Sequence, residues 1–142
     1  MPVPANAAAP AAPKSPSGPL VLVVDDNPVI RQIQCRALEG AGFAVVEASG
    51  GARALQLLSR DQPALVLLDL MMGDMDGFKF LDQLRKRSDG ANLPVIVLSA
   101  KPLSDLEREY VGARAQGFVR KTSSATDEVV ALVRQLLAPP AA

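Results

Sequence analysis

The chain has 142 residues and no histidine, and its 15 basic and 15 acidic residues give a net charge of zero at pH 7. The chain itself therefore supplies no imidazole for a metal site or a Ser-His-Asp triad, and it lacks the basic surplus typical of nucleic-acid-binding proteins. A hydrophobic content of 49% is enough for one domain with one core.

The N-terminal segment differs in composition from the rest. Residues 1–19 are nearly all Pro, Ala, Ser, Gly and Asn, so we expect a disordered Pro/Ala-rich tail there, a folded domain at 20–138 and a frayed end at 139–142. No stretch approaches the roughly 20 apolar residues of a membrane span, and no basic start precedes a signal-like segment. With Cys35 as the single cysteine, expected as an inert thiol on a helix, we expect a cytoplasmic location.

Between these ends, short apolar runs alternate with amphipathic stretches. Strands are predicted near 20–24, 43–47, 64–68, 94–98 and 117–119. Helices are predicted near 28–40, 50–60, 77–87, 103–114 and 124–137. The pair Asn27-Pro28 and the pair Ser123-Ser124 are typical helix starts. Five βα units predict a doubly wound α/β fold, with helices on both faces of a parallel sheet whose strand order spacing does not give.

Polar residues stand where the apolar runs end. Asp25 and Asp26 follow the first run, Asp69 the third, Ser99 the fourth and Lys121 the fifth. Parallel sheets collect ligand groups at the carboxyl ends of their strands, so these side chains should meet in one crevice. Three carboxylates, a hydroxyl and an ammonium group would suit a divalent cation and a phosphoryl group.

A carboxylate in such a crevice can act as a nucleophile toward phosphorus. Mg²⁺, with Mn²⁺ as an alternative, would neutralise the incoming oxygens, and Lys121 and Ser99 would engage the phosphoryl group. The competing interpretation is structural. Each Asp then caps the following helix, Ser99 belongs to a turn and Lys121 is a surface charge.

The strings VVDDN, LLDLMMGDMDG, PVIVLSA and GFVRK occur in this order, with Asp69 and Ser99 thirty residues apart and Ser99 and Lys121 twenty-two apart. Together they resemble the receiver domain of two-component response regulators, from Leu20 to about Leu137. The resemblance implies a flavodoxin-like (βα)5 fold with strand order 2-1-3-4-5.

The resemblance also assigns roles to individual residues. Asp69 is the implied phosphoacceptor, and Asp25, Asp26, Asp69 and the backbone carbonyl of Met71 are the implied metal ligands. Ser99 is the implied switch hydroxyl, Lys121 the phosphoryl-binding lysine and Phe118 the aromatic residue whose rotamer follows Ser99.

The chain departs from the family pattern at two positions. Thr122 follows Lys121 where the family usually has a proline after a cis bond, so we expect a trans bond or a strained cis one. Gly73 stands where proline is frequent, which should loosen the loop after Asp69.

Two variable positions flank the acceptor. Met71 could hinder an attacking water and Lys101 could pair with a phosphoryl oxygen, which would prolong the acyl phosphate. Alternatively, both side chains point into solvent.

The first functional hypothesis is a stand-alone receiver that takes a phosphoryl group from a phosphohistidine of a kinase or phosphotransfer protein. It is a self-modifying switch and not a turnover enzyme, with no nucleic-acid or membrane partner. Phosphorylation would remodel the face of the fourth helix, fifth strand and fifth helix toward a protein target. The polar residues of that face are Asp105, Glu107, Arg108, Tyr110, Arg114 and Arg120.

Two alternatives stay open. One is a receiver-like scaffold that works without phosphorylation. The other is a Mg²⁺-dependent phosphatase of the haloacid dehalogenase type. The motif of that class is Asp-x-Asp, whereas this chain has the adjacent pair Asp25-Asp26.

Overall fold

A computed structural model describes residues 18–73 and 75–137, and within them strands and helices alternate as predicted. The strands are β1 (Leu20–Val24), β2 (Ala44–Ala48), β3 (Leu65–Asp69), β4 (Val95–Ser99) and β5 (Gly117–Arg120). The helices are α1 (Pro28–Gly40), α2 (Gly51–Asp61), α3 (Gly77–Lys86), α4 (Asp105–Arg114) and α5 (Ala125–Leu136). The predicted disordered tail, apart from its last two residues, and the predicted frayed end at 139–142 lie outside the described residues.

The five strands form one parallel sheet in the order β2-β1-β3-β4-β5, which confirms the implied flavodoxin-like topology. The interior strands β3 and β4 are buried along their whole length, because helices cover both faces of the sheet. The edge strands β2 and β5 are only partly buried. Successive strands are added toward one edge of the sheet from β1 to β2 and toward the other edge from β3 onward. A crevice therefore opens at the carboxyl ends of β1 and β3.

Hydrophobic side chains fill the space on each face of the sheet. Alternate residues of β1 point to opposite sides, so Leu22 belongs to the core under α2, α3 and α4, and Val23 to the core under α1 and α5. Phe80 of α3 is fully buried in the first core, and Leu38 and Val133 are fully buried in the second. These two cores fix the strands whose ends carry the polar residues.

Local signals explain where the helices begin. The Asn27 side chain accepts hydrogen bonds from the amides of Val29 and Ile30, so the predicted start of α1 is confirmed. Helix α4 begins two residues later than predicted, because Ser104 and Glu107 form a reciprocal capping box.

The start of α5 is reached differently. Helix α5 begins at Ala125, one residue after the predicted start, and the Ser124 hydroxyl donates to the Glu128 carboxylate and caps no backbone amide.

No helix in residues 18–73 or 75–137 combines the length and apolar character needed to cross a bilayer.

Candidate functional site

Three carboxylates meet at the carboxyl end of the sheet. Asp25 directly follows β1 and Asp69 is the last residue of the neighbouring strand β3. One carboxylate oxygen from each of Asp25, Asp26 and Asp69 lies within 4.8 Å of the other two. The structure therefore brings together the acidic residues that the sequence placed at strand ends.

Backbone amides orient each of these carboxylates. The amide of Asn27 donates to Asp25 Oδ1 at 2.9 Å, and the amide of Met71 donates to Asp69 Oδ1 at 3.1 Å. The amide of Gly73 donates to Asp26 Oδ2 at 3.0 Å across a separation of 47 residues. The loop after β3, which was expected to be loose at Gly73, is thus tied to the acidic pair at that residue.

Lys121 supplies positive charge between two of the acids. Its Nζ lies 3.2 Å from Asp25 Oδ2 and 3.1 Å from Asp69 Oδ2. The two Asp side chains are 2% and 4% exposed, whereas the Lys121 side chain is 19% exposed. Its backbone amide donates to the carbonyl of Ser99, which fixes the strand end. The Lys121–Thr122 bond is trans, since no described peptide bond is cis.

The environment of Asp69 opposes its ionisation. Burial raises the pKa of this carboxyl above its ordinary value, and the neighbouring charge of Asp25 raises the pKa further. The Met71 amide and the Lys121 ammonium lower the pKa, but they do not reverse the shift. The single positive charge of Lys121 therefore does not balance the negative charges of Asp25, Asp26 and Asp69.

The donor set suits a hard divalent cation. The cluster offers carboxylate oxygens only, which is the ligand chemistry that Mg²⁺ and Mn²⁺ prefer over that of softer metals. The shortage of positive charge around Asp69 favours the same ions. Asp25, Asp26 and Asp69 thus fit the metal expected from the sequence.

Ser99 lies on β4, the neighbour of β3, and Phe118 lies on β5, the neighbour of β4. Ser99 is 1% exposed, and its hydroxyl donates to the carbonyl of Lys101 at 2.7 Å, so it is engaged in the loop after β4. Phe118 on β5 is 38% exposed and lines a groove of about 350 Å³ with residues of α4, including Val111. The hydroxyl and the aromatic ring are thus buried and half-exposed, respectively, on adjacent strands.

The two positions that flank the acceptor both face outward. The Met71 residue is 51% exposed and Lys101 is exposed as well. This agrees with the alternative in which the side chains point into solvent, and it leaves both free to approach a group bound at Asp69.

The model of the response regulator receiver domain family matches residues 21–134. The chain belongs to this family. Receiver domains are the phosphoacceptor modules of two-component systems, they bind Mg²⁺ at an acidic site, and their partners are histidine kinases.

The relatives include regulators about twice as long as the matched segment. Response regulator MprA of Mycobacterium leprae is 35% identical over 117 residues, which are 82% of this chain and 50% of MprA. TcrX of Mycobacterium tuberculosis, described as a "Probable transcriptional regulatory protein", is 39% identical over 119 residues, which are 82% of this chain and 49% of TcrX. The chain thus spans about half the length of the curated relatives it matches.

A solved structure shows the same fold. Chemotaxis protein CheY4 of Vibrio cholerae superimposes with a TM-score of 0.78 and 26% sequence identity, covering 85% of this chain and 100% of CheY4.

The description of TcrX refers to transcription, so the expectation of no nucleic-acid partner is in tension with the relatives.

Sequence reasoning missed one residue next to the site. The Arg31 guanidinium on α1 donates to the backbone carbonyl of Asp25 and to the carboxylate of Glu47 on β2. The sequence signal for a partnered Arg31 is its position close to the N-terminus of α1. The helix dipole disfavours a positive charge there unless a specific partner compensates.

Proposed function

We propose that this chain is a receiver that accepts a phosphoryl group on Asp69 from a phosphohistidine of a partner kinase or phosphotransfer protein. One observation carries the proposal. The buried Asp69 carboxylate contacts the Lys121 ammonium at 3.1 Å, within a group of three carboxylates whose oxygens lie inside 4.8 Å. This arrangement supports a nucleophile, a fixed cation and a divalent-cation site at the carboxyl edge of the sheet.

Each site residue has a distinct role in the proposed phosphoryl transfer. Asp25, Asp26, Asp69 and the Met71 carbonyl would hold Mg²⁺ or Mn²⁺, which when bound neutralises charge on the phosphoryl oxygens. An Asp69 oxygen forms the bond to phosphorus while the bond from phosphorus to the imidazole nitrogen of the donor breaks, and that nitrogen keeps the electron pair. Lys121, now shared between two carboxylates, pairs with a phosphoryl oxygen once Asp69 has reacted.

The same step would act as a switch. The Ser99 hydroxyl leaves the Lys101 carbonyl for a phosphoryl oxygen, and Phe118 moves into the space that Ser99 vacates. The face made by α4, β5 and α5 then changes shape for a protein target. Such a chain is a self-modifying switch and does not turn over a substrate.

Labelling with a small phosphodonor tests the acceptor. Acetyl phosphate with Mg²⁺ should add one phosphoryl group to the intact protein, and chelation of Mg²⁺ should abolish the addition. Tryptic mapping should place the group on the peptide 61–79, which contains Asp69, and not on 15–31, which contains Asp25 and Asp26. The variants Asp69→Asn and Asp76→Asn separate the acceptor from a second Asp of the same peptide, and only the first should lose the label.

The outcomes also separate the alternatives. Continuous release of phosphate from a small phosphoester would favour the phosphatase. Unlabelled protein that still binds its partner, with Asp69→Asn unchanged in binding, would favour the scaffold.

Two finer parts of the proposal need their own measurements. We also infer a cytoplasmic location and no nucleic-acid partner. Stand-alone action predicts a protein of 14.9 kDa in extracts of its own cells. An antibody that detects only a species of twice that mass would overturn this part, and would agree with the length and descriptions of the relatives.

The lifetime of the acyl phosphate tests the flanking residues. If Met71 hinders water and Lys101 pairs with the phosphoryl group, then Met71→Asn and Lys101→Glu should each accelerate phosphate release. Unchanged lifetimes in both variants would mean that the exposed side chains do not touch the reacting atoms.

A further inference from the structure

Arg31 joins three parts of the molecule next to the acidic group. It lies in the first half of α1, and its Nη1 donates to the backbone carbonyl of Asp25 at 2.7 Å. Its Nε donates to Glu47 Oε1 on the edge strand β2 at 2.8 Å. The Arg31 side chain is 18% exposed and the Glu47 side chain is 50% exposed, so the contact with Asp25 is partly buried whereas the contact with Glu47 reaches solvent.

The bridge acts on a residue that is already held from other sides. The backbone amide of Asp25 donates to the carbonyl of Ala48, the neighbour of Glu47 on β2. The carboxylate Oδ1 of Asp25 accepts the amide of Asn27. Arg31 fills the one backbone position of Asp25 that β2 and the start of α1 leave open, namely its carbonyl.

We propose that Arg31 is a positioning residue that fixes the direction of the Asp25 carboxylate toward the bound divalent cation. This inference rests on the proposed function, because it takes Asp25 as a ligand of that cation. The guanidinium binds two acceptors with two N–H groups of its planar fork, so it sets the orientation of the Asp25 peptide relative to β2. Because the Asp25 carbonyl is bonded to the Cα that bears the carboxylate, a fixed carbonyl restricts the direction in which that side chain leaves the backbone.

Charge and positioning predict opposite effects of removing Arg31. As a mere positive charge near the acidic group, Arg31 repels a divalent cation, so its removal should tighten Mg²⁺ binding. As a positioning residue, Arg31 favours the bound ion, so its removal should weaken Mg²⁺ binding. The sign of the change in affinity therefore distinguishes the two roles.

Calorimetric titration with MgCl₂ on the full chain measures this sign. Arg31→Met removes both hydrogen bonds and should raise the dissociation constant about tenfold, the size typical for groups that orient metal ligands. Arg31→Lys keeps the charge but lacks the two-pronged donor geometry, so it should also weaken binding. Arg36→Met removes a positive charge from an exposed position of the same helix and should leave the affinity unchanged.

A second measurement reports the orientation of Asp25, the proposed metal ligand, in the absence of Mg²⁺. The amide resonance of Asn27, which reports its bond to Asp25 Oδ1, should shift in Arg31→Lys and stay in place in Arg36→Met. If Arg31→Met does not fold, Arg31→Lys with this resonance decides alone.

The outcomes keep the two proposals apart. If the wild-type chain binds no Mg²⁺, the proposed function fails. If the wild-type chain binds Mg²⁺ and the Arg31 variants bind it equally or more tightly, only the positioning role is overturned.

Discussion

Asp69 carries its negative charge where burial and the charge of Asp25 both oppose it. Its folded-state pKa lies above the ordinary value of about 4, so the folded protein holds this proton more tightly than the unfolded chain does. Ionisation of Asp69 therefore reduces stability as the pH rises through the range above that ordinary value. Without divalent ions, Asp69→Asn should melt a few degrees higher than the wild type at neutral pH.

Mg²⁺ gives the matched comparison. An ion that binds the folded state raises its stability by mass action, so Mg²⁺ should raise the melting temperature of the wild type more than that of Asp69→Asn. In acid, where Asp69 is protonated in both states, the two proteins should approach each other. A lower melting temperature for Asp69→Asn in ion-free buffer at neutral pH would contradict this account.

Cys35 is a second residue whose surroundings suppress its ionised form. Burial raises the pKa of its thiol from 9.0 to about 12, and the charges of Glu47 and Glu39 add to the shift. The thiolate fraction near neutral pH is then about a thousandfold lower than in the unfolded chain, which agrees with the inert thiol predicted from the sequence. Iodoacetamide should alkylate Cys35 only after denaturation, as measured by intact mass with and without guanidinium chloride.

The same shift predicts a pH dependence of stability. Below pH 9 the thiol is protonated in both states and contributes no slope. Between 9.0 and about 12 the unfolded chain loses the proton first, so this group lowers the stability as the pH rises. Rapid alkylation of the native protein would rule out the buried, protonated thiol.

At the scale of the elements, Arg85 links the end of α3 to the end of α4. Its guanidinium donates to the carbonyls of Gly90 and Leu93 at 2.7 Å, and to the carbonyl of Arg114, the last residue of α4. These contacts span up to 29 residues and supply a donor to the carbonyl at the end of α4. In the adjacent loop they supply a donor to the Leu93 carbonyl and a second donor to the Gly90 carbonyl, which also accepts the Leu93 amide.

Removal of this link should destabilise the protein. Arg85→Met removes the Arg85 donors from the part-buried carbonyls of Leu93 and Arg114, so we expect a loss of about 2–3 kcal/mol in urea unfolding. Lys86→Met removes the next residue's exposed ion pair with Asp82 and should cost about 0–1 kcal/mol. Equal effects of the two substitutions would mean that the carbonyl contacts of Arg85 contribute nothing beyond a surface charge.

The elements themselves were largely predictable from the sequence. Apolar runs gave all five strands within about one residue, and Asn27-Pro28 gave the start of α1. The two-residue error at the start of α4 came from the unused Ser104-x-x-Glu107 signal, which terminates the preceding loop. The distant partners of Arg31 and Arg85 were not predictable, because each contact joins elements whose mutual placement depends on the strand order.

At the scale of the whole molecule, that strand order came from the resemblance and not from periodicity. Crossovers of similar length are compatible with several orders of a parallel sheet, whereas the order β2-β1-β3-β4-β5 places β1 beside β3. This adjacency brings Asp25 and Asp26 to Asp69, and the position of β5 next to β4 lets Lys121 reach both Asp25 and Asp69. The individual site residues could be named from the sequence, but the distances between them depend on this order.

The proposed switch predicts a change far from the acceptor. Ser99 is bound to the Lys101 carbonyl, and its strand pairs with β5 through the register Ser99 to Arg120. If the hydroxyl turns to a phosphoryl group on Asp69, the loop at Lys101 and the groove around Phe118 should rearrange together. Amide hydrogen exchange should therefore change in 101–120 on addition of acetyl phosphate and Mg²⁺, while 20–24 in the sheet interior should stay protected.

Ser99→Ala is the decisive variant for this coupling. It keeps Asp69, Lys121 and the acidic pair, so its labelling at Asp69 tests the acceptor independently of the switch. If Ser99 transmits the change, labelled Ser99→Ala should show the exchange pattern of the unlabelled wild type in 101–120. A wild-type response in the labelled variant would mean that the phosphoryl group acts on α4 and β5 by another route, such as the displacement of Lys121 from the two carboxylates.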